Sequence, residues 1–583
     1  MPSRISLINA GLVALCAAFF GLWGLGWGLP GAERLSWVIP PGLDTPEFRR
    51  RLQTSWQEMH RTLGENLMLA SQEITSFSGL QRTPGEWTQP PDILLNCIRS
   101  FYLRSAHDDE QTFLILFSKM NPRKLDFRPR MYLYGGGYLY PLGAWIAGSA
   151  ALRLIHLSRG LDAYLANPAA MAGLYLSGRA FSFFCLLLAS LYVWFLGRRL
   201  LGEAGGLLAG LIYAMSPGIL IQSHLMKQHI VWPLWVLACL HASMIILQKG
   251  GIVPYLAAGA AAGIGAGTFS LSAWTCLLPA CAALLRVRQG AAWRKEAGCL
   301  CAAALASAAG LLAVNPYWPA NLAEVRAEFA LETRYAGGNP MPWVFIRDIL
   351  RRALTWPVEL SAFIGFFLAL RSEDMRWRLT AWALPFSMLP IFYSAASAQG
   401  RGIRYCLAST ALAGLLAAYA ALRLRPQKQP ARALHAAAVC AALLHLGLSA
   451  AVVSHSYANA GSAGSTYRRA GLWIEEHVSS RESIGLWVLP RPENYPYFRL
   501  DRFPLVLLDP KAPAPPPVKA LPHWLVLARP DSYSTPAMPP VLKEYEKAAS
   551  FEYAPLVPWL PLAPGETNAG PAFEIYRKKP AAP

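Results

Sequence analysis

Long apolar stretches separated by short polar loops make up most of this sequence of 583 residues. About eleven of them approach the roughly 20 residues that a helix needs to cross a bilayer. A further apolar stretch, 132–156, contains a Gly-Gly-Gly run and a proline, which favour a re-entrant or juxtamembrane helix over a plain span. The pattern predicts a polytopic α-helical membrane protein whose spans cover 6–28, 170–196, 204–222, 229–247, 251–269, 271–286, 297–314, 355–370, 379–396, 403–420 and 432–453.

Polar sequence is concentrated in a long first loop, 29–169, and in a tail, 454–583. In the tail, the spacing of apolar residues in "YRRAGLWIEEHV" predicts a helix, and "SIGLWVL", "FPLVLLD" and "HWLVLARP" predict buried strands followed by turns. The Pro-rich stretch 509–522 predicts an extended linker. We therefore expect a transmembrane domain, 1–453, that includes the first loop and the helix at 132–156. A small C-terminal α/β domain, 454–583, would lie on the outer face.

Basic residues in the loops predict the orientation, because Lys and Arg concentrate on the cytoplasmic side. If 132–156 does not span, the same side receives Arg198, Arg199, Lys249 and the basic runs 286–296, 371–378 and 423–432. The prediction is a multi-pass protein of the inner (cytoplasmic) membrane, with its N-terminus inside and its C-terminus outside. No small-x-small cleavage site follows the first apolar stretch, so we expect it to remain as an uncleaved anchor.

Composition supports this class of protein. Hydrophobic residues make up 54% of the chain and charged residues 15%, whereas soluble domains carry about 25% charged residues. The net charge of +19 would suggest nucleic-acid binding in a soluble protein, but many of the cations here lie in short loops between spans. We expect membrane lipid as a partner and no nucleic acid. Among ten cysteines only Cys97 lies in a large polar segment, so free, buried thiols are expected.

Three adjacent acids late in the first loop are the main candidates for chemistry. Asp108, Asp109 and Glu110 follow His107, and the next residues, "QTFLILFSKMNP", have an amphipathic helical pattern. The acids therefore sit at a helix N-terminus, where the helix dipole favours anions. A capped, solvated helix start is one interpretation. The other is a general base that takes a proton from a hydroxyl, with the basic residues after position 118 holding a phosphate.

A family resemblance favours the second interpretation. The stretch "HDDEQTFLILFSKMNPRKLDFRPRMYLYGGGYLYPLGA" resembles the first outer loop of polytopic C-type glycosyltransferases, which include the protein O-mannosyltransferases and the lipid A aminoarabinose transferases. Later landmarks follow in the same order as in that family. They are "GRAFSFFCLLLASLYVWFLGRRLLGEAGGLLAGLIYAMSP", "QSHLMKQH", "NPYWPANLAEVRAEF" and "RGIRYCLAST". The resemblance covers roughly residues 105–480, and it is the order of the motifs that makes it specific.

The resemblance implies a hexosyl or pentosyl transferase that uses a sugar on a polyprenyl-phosphate carrier. Transfer would take place on the outer face, to a lipid, glycan or protein acceptor. Asp109 matches the family's catalytic base and Glu110 its supporting neighbour. Arg404 matches an Arg that grips the donor phosphate. Further residues expected to assist the donor phosphate or the acids are Arg401, Lys227, His107, Asp108, His224 and His229.

Several positions depart from the family pattern. Asp108 stands where the family has proline, His229 where it has a second outer acid, and Thr268–Phe269 where it has a lysine. The first loop also carries a long insertion within 29–104 whose role the sequence does not indicate. These differences indicate a divergent bacterial subgroup.

No cofactor is required by the residues themselves. If a divalent cation binds, the oxygen-rich set formed by the acids with His107 and His224 would suit Mg²⁺ or Mn²⁺.

Two other functions remain open at this level. A transporter or flippase of lipid-linked sugars would show related halves and charges in the middle of spans, and the sequence has few of either. A non-catalytic glycolipid-binding protein would explain the missing second acid.

Overall fold

The computed structural model describes residues 3–60, 81–82, 93–158, 160–336, 349–393, 401–487, 489–508, 521–529, 540–560 and 570–580. Most of the predicted Pro-rich linker, 509–520, lies outside the described residues. So do parts of two predicted outer returns, at 337–340 and 397–400.

Helices dominate the described chain. In chain order they are α1 Arg4–Leu22, α2 Ala32–Ser36, α3 Pro46–His60, α4 Ile93–Leu103, α5 Asp108–Lys119, α6 Gly136–Ala151, α7 Leu161–Ala166, α8 Pro168–Met215, α9 Pro217–Ser223, α10 Trp232–Lys249, α11 Ile252–Thr268, α12 Leu277–Arg288, α13 Trp293–Val314, α14 Leu322–Ala336, α15 Arg351–Leu354, α16 Trp356–Leu370, α17 Met375–Tyr393, α18 Leu407–Arg423, α19 Gln429–Ala460 and α20 Thr466–His477. The strands are β1 Gln81–Arg82, β2 Ile484–Leu486, β3 Leu505–Leu507, β4 Trp524–Arg529, β5 Tyr545–Phe551 and β6 Ala572–Lys578.

Helices occur in every stretch where the sequence predicts a span. Within the described residues six segments are long and apolar enough to cross a membrane: 4–22, 168–215, 228–249, 270–288, 293–314 and 429–460. Three other apolar helices, α11, α16 and α18, are shorter. The chain is therefore a multi-pass, mostly helical membrane protein, whereas the number of about eleven spans stays a prediction.

Two of these segments differ in detail from the predicted spans. Helix α8 covers two predicted spans, and its helical geometry breaks at Gly202, whose φ of 79° suits glycine. The predicted span 271–286 begins as a 3₁₀ helix over Ser270–Cys276 before α12. The predicted helix at 132–156 is present as α6, with Pro141 in its interior.

The chain forms two compact units. The first unit comprises Met1–Trp23, Met131–Trp145 and Arg179–Ser454, and the second comprises Gly24–Arg130, Ile146–Gly178 and His455–Pro583. Most of the first loop thus belongs to the same unit as the tail.

In the first unit, helices approach closely through small residues. A Cβ at Gly259 or Gly263 would collide with the backbone of Ala303 or Ser307, so α11 and α13 pack backbone to backbone. Such small-residue contacts are typical of membrane helices, which gain little from the hydrophobic effect when they associate in lipid.

The chain that leads into α6 is held by buried polar side chains of the first unit. The Glu328 carboxylate accepts the backbone N–H groups of Tyr132 at 2.7 Å and Leu133 at 2.8 Å. Asn315 accepts from the backbone N–H of Gly136 at 2.9 Å and donates to the carbonyl of Gly267 at 3.1 Å. Non-helical backbone in apolar surroundings needs such partners, because an unpaired polar group there is costly.

The second unit contains a mixed sheet with strand order β1-β3-β2-β4-β6-β5. Strand β2 is parallel to β3 and β4, while β1, β5 and β6 pair antiparallel to their neighbours. Strands β2, β3 and β4 fall in the three stretches predicted as strands, and α20 covers the predicted helix. A core cluster of this unit contains Val506, Leu508, Leu521, Leu525, Leu527, Val541, Tyr545 and Tyr576.

First-loop residues pack directly on the tail within this unit. The Trp37 ring stacks on Tyr497 with centroids 6.0 Å apart. The Leu500 N–H donates to the Val38 carbonyl at 3.0 Å, and Phe101 meets Tyr495 edge-on at 5.9 Å. The two regions therefore share one core.

The close packing at the start of α6 leads to a test of stability. A Cβ at Gly136 would collide with the carbonyl oxygen of Val314, whereas one at Gly148, in the same helix, would meet nothing within 4 Å. We expect Gly136→Ala to lower the free energy of unfolding by about 1–3 kcal/mol, the usual cost of overpacking. Thermal unfolding in detergent, followed by tryptophan fluorescence, measures this. Gly148→Ala is the control and should melt at or slightly above the wild-type temperature; equal melting of all three proteins would contradict the packing.

Candidate functional site

The predicted acidic helix is present as α5, and His107 caps its N-terminus. The His107 side chain accepts the backbone N–H of Asp109 through Nδ1 at 3.2 Å. His107 itself has extended backbone geometry, as N-cap residues do. Since Nδ1 must be unprotonated to accept this bond, the cap requires an imidazole with a free Nδ1 lone pair.

The acids of this helix have different environments. Glu110 is fully buried, at 0% exposure, and its Oε2 accepts the Ser105 hydroxyl at 2.5 Å. Asp109 is partly exposed. The side chain of Asp108 lies outside the described residues. Asp109 is therefore the more accessible of the two acids, while Glu110 is fixed in the interior.

Helix α5 ends in a short basic loop of the second unit. Asp126 accepts the backbone N–H of Arg128 at 3.1 Å and the Arg130 guanidinium at 2.9 Å. The first of these bonds, supported by the two arginine charges, lowers the pKa of Asp126. The loop thus keeps an ionised acid between its arginines, and its exposed residues include Arg123 and Lys124.

A second group of predicted residues lies in the first unit, after α9. His224 places Nδ1 2.7 Å from the Leu220 carbonyl and Nε2 3.0 Å from the Trp23 carbonyl. Burial lowers the pKa of His224, although both carbonyls oppose that shift. His224 thus joins the segment 222–229 to the end of α1, which is a structural role.

Two further members of that segment are almost completely buried. Lys227 is 1% exposed and His229 is 4% exposed. The His229 ring meets Phe269 edge-on with centroids 5.0 Å apart, and Tyr405 at 5.9 Å. Phe269 and Tyr405 also stack on each other at 5.9 Å. We call His229, Phe269 and Tyr405 the aromatic cluster.

The aromatic cluster joins two positions that depart from the pattern of the C-type glycosyltransferases. The resemblance places an acid at His229 and a lysine at the Thr268–Phe269 position. The His229 and Phe269 rings are in contact here, so the two positions that depart from the pattern are neighbours in the structure. Sequence comparison of either position alone does not reveal this.

Arg404 extends from the aromatic cluster. It lies in a 3₁₀ helix, Arg401–Tyr405, and its guanidinium carbon is 4.9 Å from the centre of the Tyr405 ring. Arg404 is partly exposed, and the side chain of Arg401 lies outside the described residues. A guanidinium over an aromatic face is attracted by the negative charge of the ring face.

The structure thus brings the predicted residues together in two sets. His107, Asp109 and Glu110 share the start of α5 in the second unit, and His229 and Arg404 share Tyr405 in the first unit. Ser105, Phe269 and Tyr405 complete these sets but were not predicted as site residues. In the part of the chain that is described, no group of three or more His, Cys, Asp or Glu residues could hold a metal ion.

The comparison with protein families bears on these sets. Residues 172–318 match the family of dolichyl-phosphate-mannose-protein mannosyltransferases. The match confirms the predicted resemblance to polytopic C-type glycosyltransferases over that stretch, which is less than half of the chain. No curated protein sequence matches the chain significantly.

Solved structures of low sequence identity also resemble the chain. ArnT from Cupriavidus metallidurans, bound to undecaprenyl phosphate, is 13% identical with a TM-score of 0.42, and the match covers 76% of this chain and 92% of that one. The oligosaccharyltransferase AglB from Archaeoglobus fulgidus, in complex with an inhibitory peptide and a dolichol-phosphate, is 13% identical with a TM-score of 0.39 over 82% of this chain and 58% of that one.

A crystal structure of the Archaeoglobus fulgidus oligosaccharyltransferase with Zn and sulfate is 14% identical, with a TM-score of 0.35 over 60% of this chain and 48% of that one. The chain therefore spans only about half the length of the archaeal proteins that it matches.

The histidine cap can be tested directly. We expect His107→Ala to weaken the first turn of α5 by about 1 kcal/mol, the typical value of an N-cap, and so to speed amide exchange of residues 108–112 about fivefold. His107→Asn should restore most of the protection, because Asn is a favoured N-cap residue. Hydrogen–deuterium exchange followed by mass spectrometry in nanodiscs measures both variants. Unchanged exchange in His107→Ala would show that His107 does not cap the helix.

Proposed function

We propose that this protein is an integral membrane glycosyltransferase. It moves a sugar from a polyprenyl-phosphate carrier to an acceptor hydroxyl on the outer face of the inner membrane. The family match over residues 172–318 supports the reaction class. The observation that carries the proposal is the start of α5, where a partly exposed Asp109 stands at a capped helix N-terminus beside a fully buried Glu110.

Asp109 is the general base in this mechanism. Its carboxylate takes the proton of the acceptor hydroxyl as the acceptor oxygen attacks the anomeric carbon. The bond between that carbon and the donor phosphate oxygen breaks, and the polyprenyl phosphate leaves with the bonding electrons. The anomeric configuration inverts, and Asp109 then releases its proton to water. A base positioned in this way contributes about 10²–10⁴-fold to a rate.

Glu110 has a supporting role. Its burial and its bond from Ser105 keep it fixed, so it cannot replace Asp109 as the exposed base. Through the bond from Ser105, Glu110 would hold the first turn of α5, and with it Asp109, in place.

The leaving phosphate requires cations, and Arg404 is our main candidate. Its guanidinium presents several N–H donors in a fixed plane, which suits the oxygens of a phosphate. Arg401 and Lys227 would add positive charge, with His229 as support. In the orientation that we propose, the N-terminus is cytoplasmic and both the first loop and the tail are on the outer face.

A divalent cation is not needed for any step written above. Mg²⁺ or Mn²⁺, if bound, would add charge at the leaving phosphate.

One observation favours a second function. The position at which the resemblance places a second outer acid is a buried histidine in an aromatic contact. This would suit a protein that binds a glycolipid without transferring its sugar.

The role of Asp109 is tested by Asp109→Asn, which keeps the shape of the side chain and removes the base. We expect transfer from radiolabelled polyprenyl-phosphate sugars to an envelope acceptor fraction to fall at least about a hundredfold, since a general base contributes that much. Purified protein in nanodiscs is used.

Asp162→Asn is the matched control for this experiment. Asp162 is also an exposed aspartate in the first turn of a helix, and its variant should transfer at the wild-type rate. Equal transfer by Asp109→Asn and wild type would assign the base to another residue. Donor binding without transfer by wild type, from every donor tested, would favour the glycolipid-binding function.

Arg404 is tested separately by Arg404→Gln. A hydrogen bond to a charged group contributes about 1.5–3 kcal/mol, so we expect the KM for the donor to rise by about 10–100-fold. The KM for the acceptor should not change. Arg423→Gln is the matched control, since the Arg423 guanidinium also lies over a tyrosine ring, that of Tyr419, at 5.6 Å. An unchanged donor KM in Arg404→Gln would remove Arg404 from the phosphate site.

A further inference from the structure

A single buried arginine holds the chain that precedes the acidic helix. Arg34 is 5% exposed. Its Nη2 donates to the carbonyl oxygens of Phe101 at 2.6 Å and Arg104 at 2.7 Å, and its Nη1 donates to that of Gly28 at 3.0 Å. Phe101 lies near the end of α4, and Arg104 directly precedes Ser105. Arg34 thus fixes the backbone between α4 and α5 from the inside.

Other contacts fix the same backbone at neighbouring points. The Tyr175 hydroxyl donates to the Leu103 carbonyl at 2.8 Å, and the Ala106 N–H donates to the Gly28 carbonyl at 2.7 Å. Ser105 lies between these points, and its hydroxyl is bound to Glu110. A shift of residues 103–106 would therefore move the partner of Glu110 and the first turn of α5.

The tail supplies a carboxylate to this network. Arg34 binds only neutral carbonyls through the bonds above, and burial lowers its pKa, while Tyr497 and Glu493 act in the opposite direction. Glu493 also forms an ion pair with Arg104, with Nη2 and Oε1 3.2 Å apart and both side chains largely buried. A buried cation without a counter-charge is strongly destabilising. Glu493 is thus the paired anion of Arg104, and Arg34 is linked to this pair through the Arg104 carbonyl.

We propose that Arg34, Arg104 and Glu493 form a positioning network through which the tail sets the location of Asp109. This inference rests on the proposed function of Asp109. None of the three residues is proposed to touch the substrate. They act through the backbone of 101–106 and the Ser105–Glu110 bond. The tail is then a part of the catalytic apparatus rather than an appended module.

A positioning role and a purely stabilising role of these residues predict different kinetics. If it only stabilised the fold, its loss would lower the amount of active protein and leave the kcat of each folded molecule unchanged. If it positions Asp109, its loss lowers kcat and leaves the KM for the donor unchanged, because none of its residues is among those proposed to hold the donor phosphate.

The ion pair permits a charge-swap experiment. Glu493→Arg and Arg104→Glu are made singly and together, and kcat is measured per folded molecule. We expect each single variant to lose about tenfold or more in kcat, which is about 1.4 kcal/mol of activation free energy, with donor KM within twofold of wild type. The double variant restores the pair in reverse order and should recover to within about threefold, since coupled residues are not additive.

A second ion pair of the tail provides the matched control. Arg499 and Asp501 are paired at 2.8 Å, with side chains that are also partly buried. Asp501→Asn removes this pair without touching residues 101–106 and should leave kcat unchanged. A loss of kcat in Asp501→Asn equal to that in the Glu493 variant would show that the effect is not specific to the contacts with residues 101–106 and overturn the proposal.

Amide exchange separates this proposal from the proposed function. We expect Glu493→Arg to speed exchange of residues 103–112 at least about tenfold and the charge-swap variant to restore protection, whether or not a transfer assay succeeds. Faster exchange without any wild-type transfer would overturn the proposed function and uphold the network as the support of α5. Unchanged exchange and unchanged kcat in both single variants would overturn the network.

Discussion

The described structure depends on one constraint: backbone that is not helical must find hydrogen-bond partners where water is excluded. Both units meet it with buried polar side chains rather than with regular secondary structure. In the first unit a carboxylate and an amide, Glu328 and Asn315, bind the backbone that leads into α6. In the second unit a guanidinium, Arg34, binds three carbonyls before α5. Each of these side chains is buried, so its loss would leave several backbone groups unsatisfied at once.

The sequence predicts those parts of the fold that leave a local pattern of apolar and polar residues. Apolar length marks the spans, and the acids followed by an amphipathic pattern mark the start of α5. The alternation and turn signals mark β2, β3 and β4. Strand β5, by contrast, was not predicted, because most of its side chains are exposed or only partly buried and its sequence, "YEKAASF", lacks regular alternation. Its pairing with β6 depends on backbone hydrogen bonds, which have no signature in the amino-acid sequence of either strand.

Contacts between distant residues were beyond the reach of the sequence for a related reason. Trp37 and Tyr497 are far apart in the sequence, yet their rings stack on each other. No periodic pattern in the sequence joins the first loop to the tail. The position of Asp109 at the start of α5 could be predicted because its motif is local. Arg34 could not, because an isolated arginine in a polar loop usually lies in solvent. Only its contacts show that it is buried and bound to the chain before α5.

The aromatic cluster shows how departures from a family pattern can preserve the charge of a site. The resemblance leads us to expect an acid where His229 stands and a lysine at the Thr268–Phe269 position. Losing the acid alone would leave the lysine as an extra buried cation, and losing the lysine alone would leave a buried anion, and each is costly. Losing both together removes one charge of each sign, so the local net charge does not change. An edge-to-face aromatic contact fills the space and contributes about 0.5–1.5 kcal/mol beyond burial. With aromatic rings at both positions, this region is stabilised by packing.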